Sequence, residues 1–391
     1  MRGLAARLTT LPAWVTILVI FAASRVFSSA ILGVVFQLAT SNGWAFASSR
    51  DNADFFTFSG SWDGSAYKQI SEHGYPASLP RDGDGQVAAN PWAFLPVYPA
   101  LVHGIVAITG FAYYPVAVAL ATIFGFFACL ALYAVVVQRS TPLAARWSVI
   151  LFAFGPLGFM LQVAYAESLF LALTFAALAA VLRHRYLIVI PLGVLAAFTR
   201  PGVLALALTL AVHLLVRWRR PGSDPLTAAA AAKIVVAGLT IAAAGLAWPV
   251  IASAITGEPD AYLQTELAFW APLIGHQDRF VPLTPWFLMA GRYLGPLGAV
   301  LVVALVAGFG LLVWRARRLG PDIVAWSASY GLYLFAVFLP QQSILRLLMP
   351  LAPLLGESSL TRTRVRRVTL LAVGSVAQVA AVVGLWFLSF P

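Results

Sequence analysis

The chain has 391 residues, of which 61% are hydrophobic and only 10% are charged. A soluble protein of this size carries about 25% charged residues, so this composition excludes a soluble globular fold. The net charge of +11 comes from short arginine clusters between apolar segments. That pattern is typical of cytoplasmic orientation signals and does not indicate a nucleic-acid partner. We predict an all-α polytopic membrane protein with a single domain over 1–391. Its one cysteine, Cys129, permits no intrachain disulfide.

The first segment has features of a secretory signal peptide. Arg2 and Arg7 precede an apolar run from Leu11, and a small-residue pattern lies at 45–47. The apolar run continues through 26–39, which is too long for the hydrophobic region of a signal peptide. We therefore predict an uncleaved first membrane span.

Hydropathy and charge together predict eleven membrane spans. If every basic cluster faces the cytoplasm, each interval between clusters holds an even number of crossings. The amino terminus is then inside, the carboxyl terminus is outside, and segment 94–110 lies in or dips into the outer leaflet without crossing. The predicted spans are 13–38, 113–137, 148–163, 166–182, 234–255, 293–314, 323–339, 343–359 and 368–390, with a hairpin of 186–199 and 202–216.

The acidic residues concentrate in two loops that this topology places outside. These are the first extracytoplasmic loop, 39–112, and a second loop at 256–292. A pore or carrier keeps functional charge near the membrane midplane, often in broken helices of paired repeats. The charge distribution therefore favours a functional site on the extracytoplasmic face of the cell membrane.

The first outer loop contains the string Ser-Trp-Asp-Gly-Ser-Ala-Tyr-Lys-Gln-Ile-Ser-Glu-His-Gly-Tyr-Pro at 61–76. Its pattern predicts a short amphipathic helix over 65–73. Asp63 comes directly before that helix, and two interpretations are open. Aspartate is a favoured helix N-cap, and it is also a group that can accept a proton in catalysis.

The string at 62–76, followed by Ala-Phe-Leu-Pro-Val-Tyr-Pro at 93–99, resembles the bacterial relatives of the PIG-V mannosyltransferases. Three later stretches are similar to the same family: Tyr-Ala-Glu-Ser-Leu-Phe at 165–170, Ala-Phe-Thr-Arg-Pro at 197–201 and Ser-Ile-Leu-Arg at 343–346. The resemblance implies a GT-C-type fold and transfer of mannose from a polyprenyl-phosphate donor to a lipid-linked acceptor. The acidic catalytic residue that this fold usually carries in its first outer loop corresponds here to Asp63.

Such a reaction needs a base for the acceptor hydroxyl and positive charge for the departing phosphate. Asp63 is the predicted base, in a single displacement with inversion. Arg200 and Arg346 are the predicted donor-phosphate ligands, because a guanidinium matches phosphate geometry. The alternative for each arginine is an interfacial anchor. No cofactor is expected and no metal site either, since Asp63 and His73 lack a third ligand.

Further candidates have plainer alternatives. Glu167 either binds substrate or pairs with Arg200, and the aromatic residues either stack on sugar or belong to the interfacial aromatic belt. Arg25, within the first span, needs an acidic or lipid-phosphate partner. The predicted substrate-binding residues are Trp62, Tyr67, Tyr98, Glu167, His276 and Asp278.

Two rival functions remain open at this point. The same fold could transfer another sugar, such as arabinose or glucose. The chain could also be a lipid or solute transporter without transferase activity. The expected partners under the main hypothesis are a polyprenyl-phosphate-linked sugar donor, a lipid-linked glycan acceptor and the membrane lipids.

Overall fold

The computed structural model describes residues 11–44, 53–219, 222, 225–277 and 279–389. Helix accounts for 76% of the described residues, and these ranges contain no strand beyond an isolated bridge between Arg81 and Val87. The predicted all-α class is confirmed. Arg2, Arg7 and Asp278 lie outside the described residues.

The α-helices are α1 (Ala13–Ser41), α2 (Phe55–Phe58), α3 (Asp63–His73), α4 (Val97–Thr109), α5 (Tyr113–Val136), α6 (Pro142–Ala153), α7 (Glu167–Leu182), α8 (Tyr186–Ala197), α9 (Leu204–Arg219), α10 (Ala228–Thr256), α11 (Ala261–Ile274), α12 (Pro285–Leu294), α13 (Pro296–Arg315), α14 (Pro321–Val337), α15 (Ile344–Leu347) and α16 (Arg364–Ala381). Tighter 3₁₀ turns occupy Pro91–Ala93, Gly158–Leu161, Ala316–Leu319, Met349–Gly356 and Ser358–Thr361, and a π-helical turn occupies Val382–Phe387.

Five helical segments of the described chain are long and apolar enough to cross a membrane. A bilayer core about 30 Å thick needs about 20 apolar residues in a helix, and these segments have 24 to 29 residues. They define a helical membrane protein. The five segments are Ala13–Ser41, Tyr113–Val136, Ala228–Thr256, Pro296–Leu319 and Arg364–Phe387.

Segment 94–110, which was predicted to lie in or dip into the outer leaflet without crossing, forms α4, whose 13 residues extend only about 20 Å. Two of the predicted spans are broken in the structure. The predicted span 148–163 is interrupted, because α6 ends at Ala153 and a Gly-Pro sequence at 155–156 leads into the 3₁₀ turn at 158–161. The predicted span 343–359 consists of the short helix α15 and the proline-containing 3₁₀ turn Met349–Gly356.

Arg25 stabilises the break after α6 through hydrogen bonds. Its guanidinium donates to the carbonyls of Ala153 at 3.3 Å and Gly158 at 2.8 Å, and to Oε1 of Gln162 at 3.3 Å. Ala153 is the last residue of α6, where a helix leaves its carbonyls without helical partners, so the arginine bonds this helix end and links it to the 3₁₀ turn that follows. The protein partners of Arg25 are thus carbonyl, amide and hydroxyl oxygens in place of the expected acidic side chain.

The predicted span 293–314 is part of a helical hairpin. Helices α12 and α13 meet at Gly295, which has φ +56, a conformation that glycine adopts without strain. At Gly298 an added Cβ would lie 2.5 Å from the backbone of Ala290, so only glycine permits this approach. The second predicted outer loop, 256–292, therefore contains α11 and α12.

Helix α7 is the centre of the core, since nearly all of its side chains are buried, from Glu167 to Leu182. It packs against α5 and α8, and its apolar side chains belong to the largest buried cluster. A helix that is apolar on all sides is buried on all sides. The first residue of α7, Glu167, is consequently a carboxylate in the interior of the protein.

Candidate active site

Four charged side chains from four distant segments meet at the amino-terminal end of α7. Arg346 on α15 donates from Nη1 to Oδ2 of Asp63 and, at 3.2 Å, to Oε1 of Glu167. Arg200, which follows α8, donates from Nη1 to the same Glu167 oxygen at 2.5 Å. The side chains therefore alternate in sign along the series Asp63–Arg346–Glu167–Arg200. The predicted pair of Glu167 and Arg200 is confirmed as an ion pair.

The cluster is mostly shielded from solvent. The side chain of Glu167 is 4% exposed, those of Arg200 and Arg346 are each 12% exposed, and that of Asp63 is 21% exposed. Burial alone would lower the pKa of Arg200, but the neighbouring carboxylate of Glu167 outweighs burial and raises it. Arg346 forms ion pairs with the carboxylates of both Asp63 and Glu167. Each arginine therefore has its positive charge balanced by a carboxylate.

Asp63 occupies the first turn of α3, where the positive end of the helix dipole favours a carboxylate. The N-cap of α3 is Trp62, and no side chain caps this helix. The N-cap interpretation of Asp63 is therefore wrong, and its carboxylate is directed to Arg346 instead. The backbone N–H of Asp63 donates to Oη of Tyr165 at 3.1 Å. The guanidinium of Arg346 lies 5.2 Å from the centre of the same tyrosine ring.

Arg200 is positioned by the break between α8 and α9. Helix α8 ends at Ala197, and Pro201 follows two residues after Thr199, which bonds back to Leu195. Gly202 has φ +110, and an added Cβ would come within 3.1 Å of the ring of Tyr333. The chain can therefore turn at this point only with glycine, and the turn directs Arg200 inward.

A small cavity lies between Glu167, Arg200 and Arg346 and is closed by apolar groups such as Tyr330 and Pro350. Two buried polar atoms beside it, Oε2 of Glu167 and Nε of Arg346, have no hydrogen-bond partner among the described residues. Buried polar groups are normally paired, so unpaired ones indicate room for a water or a ligand oxygen. The cavity offers both a donor and an acceptor to such an oxygen.

The predicted aromatic contacts occupy different environments. Tyr67 is buried against the rings of Tyr98 and Tyr165, and its hydroxyl interacts electrostatically with the cluster. Burial raises the pKa of Tyr67 above its ordinary value. The hydroxyl of Tyr98 donates to the carbonyl of Ala117 at 2.9 Å, and the indole N–H of Trp62 donates to the carbonyl of Trp386 at 3.0 Å. The polar atoms of Tyr98 and Trp62 are thus engaged within the protein.

Glu266 on α11 is a titratable neighbour of the cluster that sequence reasoning missed. Burial raises its pKa to about 7, opposed by a hydrogen bond from Tyr262 and by the charge of Arg200, while Asp63 raises it further. Glu266 lies in the second acid-rich loop, but nothing in its local sequence distinguishes it from the other acids there. The tertiary fold alone brings it to the cluster.

The remaining predicted site residues are not part of the cluster. His276 is exposed in the loop after α11, whereas the partners of Asp63 in the described chain are Tyr165 and Arg346. Asp278 lies outside the described residues. Throughout the described ranges, no group of three or more His, Cys, Asp or Glu side chains could hold a metal ion.

No protein-family model matches the chain, and no curated protein matches it. The charged cluster and its geometry are therefore the observations from which a function is inferred.

Proposed function

We propose that the protein is a GT-C-type, PIG-V-like mannosyltransferase with eleven membrane spans. It would transfer mannose from a polyprenyl-phosphate donor to a lipid-linked or glycolipid acceptor. The observation that carries this proposal is the meeting of Asp63, Glu167, Arg200 and Arg346. Each of these residues belongs to one of the separate stretches that resemble the family. A shared active site requires these residues to meet at one place. Arginines that served only as interfacial anchors would have no reason to meet there.

The reaction is a single displacement at the anomeric carbon. The acceptor hydroxyl oxygen attacks that carbon, the bond from the carbon to the phosphate oxygen breaks, and polyprenyl phosphate leaves with the electron pair. Asp63 takes the hydroxyl proton as general base, a contribution worth typically 10²–10⁴-fold. Glu167 is held by two arginines and does not act as a nucleophile. With Asp63 as the base and Glu167 held by both arginines, a single displacement with inversion is favoured.

The ion pair of Asp63 and Arg346 gives donor binding a direct effect on the base. In the structure Arg346 holds the Asp63 carboxylate. A donor phosphate is a competing anion that matches a guanidinium through paired hydrogen bonds. When the phosphate takes Arg346, the Asp63 carboxylate leaves this ion pair and can accept the proton of the acceptor hydroxyl. Asp63 is thus released to act as the base only when the phosphate of the donor, which is the leaving group, has already bound to Arg346.

The ends of the helices support an extracytoplasmic site. Helix α7 begins at Glu167 in the cluster and ends at Leu182, next to Arg183 and Arg185. Its 16 residues separate these ends by about 24 Å. Basic residues mark the cytoplasmic side of a membrane protein. The cluster at the opposite end is then extracytoplasmic, where a lipid-linked donor and acceptor are both reached from the bilayer.

The test is an assay with purified protein, labelled polyprenyl-phosphate-mannose and a membrane lipid extract. We expect a labelled glycolipid, and we expect Asp63→Asn to reduce its formation by about 100-fold or more with donor binding retained. Asp82→Asn is the matched control, because Asp82 lies in the same loop but only bonds its own turn through Asp84 and Gln86.

The rival functions give different results in the same preparation. A transporter would show substrate counterflow in proteoliposomes and would tolerate Asp63→Asn. A transferase for another sugar would use a polyprenyl-phosphate arabinose or glucose donor in place of mannose. Normal turnover by Asp63→Asn with the mannose donor would refute the assignment of the base.

A further inference from the structure

We propose that the final turn of the described chain, Val382–Phe387, positions Asp63 through a bond between Trp62 and Trp386. Through its indole N–H, Trp62 is held in a backbone conformation that directs the carboxylate of the next residue, Asp63, toward Arg346. The inference rests on the proposed function, in which Asp63 is the base. Trp62 and Trp386 touch no reacting atom and are positioning residues.

The backbone at Trp62 is strained. Its φ of 58 and ψ of −120 lie in a region that favours glycine. For a bulky residue such a conformation persists only where the surrounding structure enforces it. Glycine would adopt this turn without strain, so the presence of tryptophan indicates that its side chain supplies something glycine cannot.

That contribution is a hydrogen bond to the turn Val382–Phe387, and Trp386 in this turn donates a second bond back to Phe58 in α2. Nε1 of Trp62 donates to the carbonyl of Trp386 at 3.0 Å, and Nε1 of Trp386 donates to the carbonyl of Phe58 at 3.1 Å. The last carbonyls of a helix have no partner within that helix. Trp62 therefore satisfies a carbonyl that the end of the helix leaves free. The two bonds connect residues 324 and 328 positions apart.

Trp386 also supports Asp63 from the other side. It is 1% exposed, and its ring lies 5.3 Å from that of Tyr165. Tyr165 accepts the backbone N–H of Asp63 at 3.1 Å. The π-helical register of Val382–Phe387 is rare and occurs frequently at functional sites. Asp63 is thus fixed both through the residue before it and through its own backbone.

A consequence concerns the order of assembly. The chain is made from its amino terminus, so the turn that contains Trp386 is synthesised after all four charged residues. The base then reaches its working position only after this turn has packed against α1 and helix α16 has packed against α6. A chain that lacks this turn would carry all four charged residues without holding Asp63 in place.

The first test compares two equivalent indole bonds. Trp62→Phe keeps an aromatic ring and removes the N–H. Trp286→Phe is the matched control, since Trp286 is also partly buried and donates to the carbonyl of Leu334 at 3.0 Å, away from the cluster. We expect Trp62→Phe to lower kcat by about 10- to 100-fold with an unchanged KM for the donor. We expect Trp286→Phe to keep the wild-type kcat, and equal kcat in the two variants would overturn the proposal.

A second pair of variants tests the turn itself. Trp62→Ala and Trp62→Gly both lose the side chain and its bond to Trp386. Glycine adopts the positive φ without cost, whereas alanine does not. We expect the glycine variant to retain more kcat than the alanine variant. Equal rates would show that the conformation at position 62 does not direct Asp63.

A readout that is independent of sugar transfer separates this proposal from the proposed function. Lys68 lies on α3, five residues after Asp63, and trypsin cleaves after it only where the helix loosens. If the wild-type protein transfers no sugar, the proposed function fails and the tryptic comparison alone decides. Faster cleavage at Lys68 in Trp62→Phe than in Trp286→Phe would then support the positioning role, and equal cleavage would refute it.

Discussion

Replacement of Glu167 by glutamine tests whether the charged cluster holds the fold as well as the site. Glu167→Gln keeps the shape of the side chain and removes its charge. In the native protein one carboxylate oxygen accepts from Arg200 at 2.5 Å and from Arg346 at 3.2 Å. The substitution leaves two guanidinium groups facing each other without the carboxylate between them.

The expected loss follows from burial. Removal of one member of a buried ion pair costs about 3–5 kcal/mol, because a charge is left without compensation. The glutamine oxygen still accepts one hydrogen bond, so we expect a loss of about 3 kcal/mol in the free energy of unfolding. The matched control is Glu258→Gln, whose partner Arg81 also lies at 2.5 Å but is 48% exposed. An exposed pair is worth less than about 1 kcal/mol.

Equilibrium unfolding in mixed micelles of rising SDS content measures both losses, with the twelve tryptophans as fluorescence reporters. We expect the Glu167→Gln transition to shift clearly to lower SDS and the Glu258→Gln transition to stay near that of the wild type. If the two variants lose the same free energy, the cluster is not a buried electrostatic unit and the reasoning fails.

Three further predictions concern single side chains. Because the folded pKa of Glu266 is about 7, above its ordinary 4.5, stability should fall as the pH rises between these values. Glu266→Gln should remove that dependence, as thermal unfolding at both ends of this range would reveal; an unchanged slope would contradict the burial of the carboxyl. Arg25→Met should cost about 2–3 kcal/mol in SDS unfolding, since it removes the bonds of Arg25 to the carbonyls of Ala153 and Gly158 and to Gln162, and a neutral result would refute the role of Arg25 at this break. Arg346→Lys keeps the charge but loses the planar fork, so donor affinity should fall about 10-fold in a binding assay; wild-type affinity would exclude phosphate recognition by Arg346.

The sequence was a good guide to features that depend on local composition. A long apolar helix such as α5 or α10 is evident from its own residues, since a bilayer requires about 20 apolar residues in succession. The amphipathic helix after Asp63 was also predicted, two residues shorter than α3. Prediction failed where the chain leaves regular helix, as at Ala153 and along Met349–Gly356. Hydropathy remains high through such breaks, so an apolar 3₁₀ turn looks like a helix.

The candidate site likewise divides into residues that the sequence identified and contacts that only the fold revealed. The motifs supplied Asp63, Glu167, Arg200 and Arg346 as separate candidates, but no pattern in the chain pairs Arg346 with a carboxylate 283 positions away. The approach of Glu266 and the bond between Trp62 and Trp386 were equally invisible, because both depend on how helices pack.

The amino-acid sequence by itself determined that this protein is a helical membrane protein and which residues carry its charge. A hydrocarbon environment requires each spanning segment to be apolar and helical by itself, so these features can be read from the sequence of that segment alone. Only the tertiary structure decided which charges neutralise one another, where a helix breaks and which carboxylate lies beside which arginine. Those outcomes depend on contacts between segments hundreds of residues apart, and packing geometry rather than local periodicity selects them.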